Sequence, residues 1–167
     1  MQKHIDSTIY KNNTNYFTRI IDSPIGKIVA ISDDSTITNL DFIDDTTEYT
    51  NSDHPLLIQL EKELMEYFGQ NRKIFTLPLN PKGTPFQKGV WTTLKTIPYG
   101  ETLSYAAEAQ RFGNSKAVRA VASANGRNPI SILIPCHRVI SSSGKIGGYS
   151  GGVEKKEFLL ALEKEKY

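Results

Sequence analysis

The 167-residue sequence predicts an α+β fold: a small N-terminal antiparallel sheet with one helix, then a mostly helical C-terminal domain with a helix-turn-helix and a short strand region at its single cysteine. Three observations predict it. Three β-rich segments separated by turn residues fill residues 16–43, apolar residues recur at helical spacing from residue 55 onward, and the charge balance reverses near a proline-rich stretch around residue 80. Residues 1–81 carry 7 Lys and Arg against 12 Asp and Glu, whereas residues 82–167 carry 13 against 6. The expected domains are therefore 1–80 and 81–167.

Strands are expected over 16–21, 27–32 and 36–43, where β-branched and aromatic residues dominate. Ser23-Pro24-Ile25-Gly26 and Asp33-Asp34-Ser35 supply the turns between them. A polar stretch over 44–53 leads to a helix in HPLLIQLEKELMEYFG, with Leu56, Leu57, Leu60, Leu64 and Phe68 as its apolar stripe and Gly69 as its C-cap. Residues 71–83 read as an extended linker. Thr84-Pro85-Phe86-Gln87 is a capping box with proline at the first helical position. The helix it opens carries Phe86, Val90, Trp91, Leu94 and Ile97 as its stripe and ends at Pro98-Tyr99-Gly100. Ser104 is expected to cap a helix to Phe112, stopped by Gly113, and Ser115 another through about Asn125, stopped by Gly126. Two helices joined by a tight glycine-containing turn make a helix-turn-helix, although an αα-corner with no DNA role has the same pattern. VEKKEFLLALEKEKY closes the chain as an amphipathic helix.

At 38% hydrophobic and 23% charged residues the composition is that of a soluble globular protein. No stretch approaches the ~18 apolar residues of a membrane span, and the N-terminus has no apolar signal core. The expected location is cytoplasmic, or nuclear if the source is eukaryotic. One cysteine cannot form an intramolecular disulfide, and with the scattered His4, His54 and His137 it offers no zinc spacing, so no metal is expected. Nothing acidic lies between Glu108 and Glu154, an interval that holds Arg111, Lys116, Arg119, Arg127, Arg138 and Lys145. A polyanion is the natural partner of such a surface. In the second helix of the pair, SKAVRAVASAN, Ala117, Ala120, Ala122, Ser123 and Ala124 keep the surface thin while Lys116 and Arg119 keep it positive. That suits close approach to a nucleic-acid backbone and groove better than base readout, and the same alanines permit packing against another helix.

The segment ILIPCHRVI places Cys136 after three apolar residues that read as buried strand. A lone thiol is ordinarily a buried structural residue. Here Pro135 turns the chain, and His137 and Arg138 supply the electropositive setting that lowers a thiol below its ordinary ~8.5. Adjacent residues of an extended strand face opposite ways, so Cys136 and His137 couple either through a turn or through a water. Glu163, at the edge of the inward face of the last helix, is either an orienting acceptor for His137 or a surface carboxylate paired with Lys156 or Lys166. The glycine-rich loop over 141–152 is not a phosphate-binding P-loop, because Gly144-Lys145 is followed by Ile146. Its glycines allow close backbone approach to a flat ligand, with Tyr149 and Ser150 alongside.

Ile134-Pro135-Cys136-His137-Arg138-Val139, with Ser104-Tyr105, Lys116-Ala117-Val118-Arg119-Ala120-Val121 and Asn128-Pro129 upstream and Gly148-Tyr149-Ser150-Gly151-Gly152 and Lys156-Glu157 downstream, resembles the O6-alkylguanine-DNA alkyltransferase family of methylated-DNA–protein-cysteine methyltransferases. The resemblance covers residues 84–163. The first half is similar to the family's variable module only in its order of three strands and a helix, and it lacks the cysteines with which some relatives hold zinc there. Ser131 stands where many relatives carry proline, and Asn125-Gly126-Arg127 departs from a commoner Met/Asn-Arg-Gly order.

The resemblance implies direct DNA repair by irreversible, stoichiometric transfer of a methyl or larger alkyl group from O6 of guanine to the Cys136 thiol, with no cofactor. O4-methylthymine stands as a second candidate substrate. His137 is implied as the base acting through a water, Glu163 as its orienter, Asn128 as the brace of the cysteine turn, and Tyr105 as the group that assists the departing guanine. Tyr149, Ser150, Gly151, Val139 and Arg138 are implied to line the pocket, with the carbonyls of Cys136 and Val139 accepting from the guanine amine. Helix 115–125 is implied to enter the minor groove, with Arg119 inserted where the lesion base is flipped out and Lys116, Ala120, Ser123, Ser104 and Tyr105 as further DNA contacts. The implied partner is double-stranded DNA containing O6-alkylguanine, bound by a monomer, with cooperative assembly on DNA left open. A non-catalytic alkylated-base recognition protein would share the helix-turn-helix and lack the thiol. A transcription regulator would need base-reading side chains that the alanine-rich helix lacks, and a thiol hydrolase would turn over.

Overall fold

A computed structural model of the chain describes Ile5, Tyr10 and residues 13–46 and 48–164, which form two compact units divided between Pro81 and Lys82. In the first unit, β1 (Phe17–Ser23), β2 (Gly26–Ser32) and β3 (Ile37–Ile43) form an antiparallel meander in that order. Ser23 pairs with Gly26, so Pro24 and Ile25 are a two-residue hairpin loop, and Gly26 has φ 120°, a conformation open to a residue without Cβ. At the second turn Asp33 Oδ1 accepts from the backbone N–H groups of Ser35 (2.9 Å) and Thr36 (2.7 Å).

Helix α1 (Pro55–Phe68) is capped by His54, whose Nδ1 accepts from Leu56 N at 3.2 Å. Its buried face is Leu57, Leu60, Leu64 and Tyr67, rotated from the expected stripe, since Leu56 and Phe68 are only half-buried. Gly69 follows the helix with an ordinary φ of −82°, and the left-handed residue is Gln70 at φ 63°. The expected linker is docked rather than free. Ile37 N donates to Pro78 O (2.9 Å) and Asn80 N to Ile37 O (2.8 Å). The fully buried Glu63 accepts from Thr76 N and Oγ1, both at 3.0 Å. Burial pushes that carboxyl up, but Gln59, Thr76 and the Arg72 charge outweigh it and hold the group below its usual value.

In the second unit the Thr84–Gln87 capping box opens α2 (Pro85–Leu94), which ends before Ile97; Ile97 is buried from the following turn instead. A two-residue strand β4 (Leu103–Ser104) leads into α3 (Tyr105–Phe112), capped by Ser104 Oγ accepting from Ala107 N at 3.0 Å and stopped by Gly113 at φ 101°. Helix α4 (Val118–Gly126) starts two residues later than a Ser115 cap predicts and runs through Gly126. Ser115 makes no cap, because Asn114 takes the turn: its Oδ1 accepts from Lys116 N (3.2 Å) and its carbonyl from Ala117 N (3.0 Å). Lys116 thus lies in the turn rather than on the helix. Val90, Ala109, Val121 and Ala124 form the core of this three-helix arrangement, and Trp91 Nε1 donates to Ala124 O at 2.9 Å. Strand β5 (Val139–Ile140) pairs in parallel with β4, and α5 (Val153–Lys164) follows the glycine-rich loop. The last residues of the expected final helix, Lys166 included, lie outside the described residues.

Candidate active site and nucleic-acid interface

The apolar run before the cysteine is buried but is not a strand. Leu133 N donates to Ser131 O (2.8 Å) across Ile132, a β-branched residue at φ 71°, and Ile134 N donates to Ile130 O at 3.0 Å. Holding such a residue in the left-handed region costs about 1–3 kcal/mol, which the surrounding bonds must outweigh. Cys136 N then donates to Ile134 O (2.8 Å) across Pro135 at φ −83° and ψ 63°, an inverse γ-turn. Cys136–Arg138 form one 3-10 turn. Asn128, 1% exposed, ties these turns together. Its Nδ2 donates to Ile134 O (2.7 Å) and to Cys136 Sγ (3.3 Å), and its Oδ1 accepts from Ile130 N at 2.9 Å.

Behind the thiol lies a buried polar set. His137 Nε2 is 2.7 Å from Glu163 Oε2, so Glu163 is the inward carboxylate of the two alternatives the sequence allowed. Arg138 Nε donates to Glu163 Oε1 (2.8 Å), a second guanidinium nitrogen to Oε2 (3.1 Å), and the third to Ile97 O (2.7 Å). All three guanidinium nitrogens are therefore committed. Arg138, expected to line the pocket, has its charge matched by Glu163. Burial pushes the Glu163 carboxyl up, but His137 and Arg138 overcome it and hold the group at about 2. Burial lowers the imidazole, helped by the Arg138 and Lys156 charges and opposed by Glu163. An ionised Glu163 accepts only, so His137 carries its proton on Nε2 and presents Nδ1, which has no hydrogen-bond partner, as the acceptor.

The electropositive neighbour of the thiol is Lys156, a residue the sequence reading left out of the site. It is fully buried, donates from Nζ to Val139 O (2.6 Å) and Gly148 O (3.1 Å), and stands 5.9 Å over the Tyr105 ring. Burial lowers its ammonium to about 8, against the opposing pull of Cys136 and Glu108. Its position three before Leu159 and seven before Glu163 on the inward face of α5 was the available signal. Burial raises the Tyr105 phenol, and charge on Cys136 or Glu108 raises it further, which keeps it a hydrogen-bond donor. At Gly147 (φ 78°) an added Cβ would stand 2.7 Å from the Tyr105 hydroxyl, so glycine allows the loop to close over that ring. Tyr149, Ser150 and Gly151 follow in the half-buried part of the same loop. The Val139 carbonyl accepts from Lys156 and the Cys136 carbonyl from Val139 N.

On α4, Val121, Ala124 and Asn125 face inward, while Arg119, Ala120 and Ser123, and Arg127 just past the helix, are exposed. Lys116 is exposed in the preceding turn, and Ser104 and Tyr105 are half-buried at the start of α3. Small and basic residues thus share the outward side of the second helix. Among the described residues no group of three or more His, Cys, Asp and Glu could hold a metal ion, and no helix is long and apolar enough to cross a membrane.

A helix-turn-helix with a basic outward face, joined within one unit to a lone thiol backed by imidazole, carboxylate and ammonium groups, defines a DNA-binding protein organised around chemistry at one cysteine. Residues 85–165 match the family described as 6-O-methylguanine DNA methyltransferase, DNA binding domain, and residues 16–81 match its ribonuclease-like domain. The chain belongs to the 6-O-methylguanine DNA methyltransferase family, enzymes of alkyl-transfer DNA repair. It is 43% identical over 162 residues to the constitutive methylated-DNA–protein-cysteine methyltransferase of Bacillus subtilis, covering 92% of this chain and 98% of that one. The crystal structure of Mycobacterium tuberculosis O6-methylguanine methyltransferase is 44% identical with a TM-score of 0.81, covering 89% of this chain and 93% of that one. Mycobacterium tuberculosis OGT in complex with DNA gives 44% identity and a TM-score of 0.80, over 89% of this chain and 92% of that one.

Proposed function

We propose that Cys136 accepts one alkyl group from O6 of guanine in double-stranded DNA and keeps it. The thiol proton passes through a water to Nδ1 of His137, and Sγ attacks the alkyl carbon. The S–C bond forms as the C–O6 bond breaks, and its electron pair passes to the guanine, whose ring nitrogen takes a hydrogen bond or proton from the Tyr105 hydroxyl. Glu163 holds the His137 tautomer that leaves Nδ1 basic, Arg138 keeps Glu163 ionised, and Asn128 fixes the turn that aims Sγ. Lys156 stabilises the thiolate as it forms. A thioether has no ready route back to thiol, so each chain reacts once. The observation that carries this reading is the Asn128 bond to Cys136 Sγ beside a buried His137–Glu163 pair whose histidine is the next residue of the same turn.

Reaching O6 requires the base to leave the stack, which costs a few kcal/mol. The exposed face of α4 supports a minor-groove approach in which Arg119 fills the space left by the extruded base, Ala120 and Ser123 allow close contact, and Lys116 meets phosphate. Tyr149, Ser150, Gly151 and Val139 line the pocket, and a single protomer suffices for the reaction. The test is a duplex carrying O6-methylguanine with labelled methyl carbon, incubated with the protein and with Cys136→Ser. Label moving to the wild type alone supports the proposal. Lesion binding with all label left on DNA would make the protein a recognition module, and competition by an O4-methylthymine duplex tests the second substrate.

A further inference from the structure

Glu108 has no part in the reaction above, yet it lies fully buried on the inward side of α3, beside Ala109 and the core of Val90, Val121 and Ala124. Its one hydrogen-bond partner is Asn125 on α4, whose Nδ2 donates to Glu108 Oε1 at 2.7 Å. The atoms left over come from the same two residues: Glu108 Oε2 and Asn125 Oδ1 are both buried without a hydrogen-bond partner. If Glu108 were ionised, both would be acceptors with no donor bonded to them, and a buried unsatisfied oxygen is costly. One proton removes both deficits.

We infer that Glu108 is held as a neutral carboxylic acid whose Oε2–H donates to Asn125 Oδ1, closing a two-bond acid–amide pair that positions α4 against α3. A protonated carboxyl has one donor and one good acceptor, and a carboxamide offers the complement. Burial raises the Glu108 carboxyl to about 7, with the Asn125 bond and the Lys156 charge pulling the other way. The titratable groups that face it are Lys156 from α5 and Tyr105 from its own helix. Lys156 gives two of its three protons to the Val139 and Gly148 carbonyls and acts on Glu108 through its charge. Val90 from α2 and Val121 and Ala124 from α4 bring no charge. The pair sits at a joint, because Asn125 O also accepts from Asn128 N at 3.2 Å, and Asn128 is the brace of the thiol turn. Glu108 is thus a positioning residue for the outward face of α4.

Glu108→Gln is the decisive variant, because glutamine makes the same two bonds at every pH, and Glu108→Ala removes them. A carboxyl raised in the folded state contributes its full stability below the unfolded value, near 4.5, and loses it as pH rises to about 7. In the full-length protein, wild type and Glu108→Gln are expected to melt together at the acid end. They should separate by about 5–10 °C as pH rises to about 7 and keep that gap above it, with Glu108→Ala below Glu108→Gln throughout. The Glu163 acid response is common to both and cancels. Wild type should also show a protonated-carboxyl infrared band that fades over the same range and is missing from Glu108→Gln. A pH-independent gap, or Glu108→Gln melting as low as Glu108→Ala, would overturn the inference. Melting and infrared readouts do not depend on the DNA-repair reading. Affinity for undamaged duplex should follow the same order, and an affinity indifferent to both variants would overturn the positioning role alone.

Discussion

Replacing Arg138 with methionine separates its two candidate roles. In the structure the guanidinium gives two bonds to Glu163 and one to Ile97 O, from a side chain buried against the Tyr99 ring. Methionine fills similar volume but leaves the buried Glu163 carboxylate without its guanidinium, still facing His137. Breaking one side of a buried ion pair costs about 3–5 kcal/mol, read as a lower urea midpoint at unchanged slope. The larger consequence is for the base. Arg138 lowers His137, whereas Glu163 raises it, so losing the guanidinium removes the opposing charge and leaves the attracting one. His137 then keeps a proton on Nδ1 to higher pH and cannot accept from Cys136. Single-turnover alkyl transfer measured against pH is expected to shift its rising limb upward, with about a tenfold lower rate on that limb for each unit gained by His137. Arg138→Lys keeps the charge without the fork and is expected to shift it less. An unmoved pH dependence together with weaker capture of free O6-alkylguanine would refute this reasoning and return Arg138 to the pocket.

Asn128→Ala strips the acceptor from Ile130 N and one donor from Ile134 O; a buried group orphaned in this way costs about 1–3 kcal/mol, so denaturation should show a clear loss of stability with transfer slowed beyond it. A stable variant with normal transfer would show that Asn128 does not brace the turn. Glu163 is depressed from 4.5 to about 2, so it contributes about 3 kcal/mol that is complete above about 4.5 and lost as pH falls through about 2. Acid unfolding of Glu163→Gln should lack that step, and an identical acid limb would contradict the pairing. Alkylated protein is expected to melt below the free form, because Cys136 is 8% exposed with its sulfur bonded by Asn128, and equal melting temperatures would count against this.

The sequence made the elements readable where local chemistry decides them. The Pro24-Ile25 loop, the Thr84–Gln87 box and the Ser104 cap each work through residues within four positions of one another. It misled where neighbouring residues compete for one turn or a longer-range partner decides. Ser115 is as good a cap as Ser104 on paper, but Asn114 one residue earlier captures the turn first. Ile132-Leu133-Ile134 has strand composition, and only Asn128 and the bonds to Ile130 and Ser131 make it a pair of tight turns. Cys136, His137 and Asn128 lie close enough in the chain to be read as one motif. The Arg138–Glu163 pairing spans 25 residues and has no local signal, and Lys156 reads as solvated because a lysine on an amphipathic helix normally is. The Glu108–Asn125 pair left no trace in the pattern, since each residue looks like an ordinary polar position of its helix.

The most direct test is the intact mass of the protein after incubation with an excess of duplex containing O6-methylguanine, beside undamaged duplex and Cys136→Ser. The account predicts a gain of a single CH₂, located on Cys136 by peptide mapping, that stops at one per chain however long the incubation, with no gain in either control. Continued loss of methyl groups from the DNA with an unmodified protein, or a methyl group on any other residue, would contradict it.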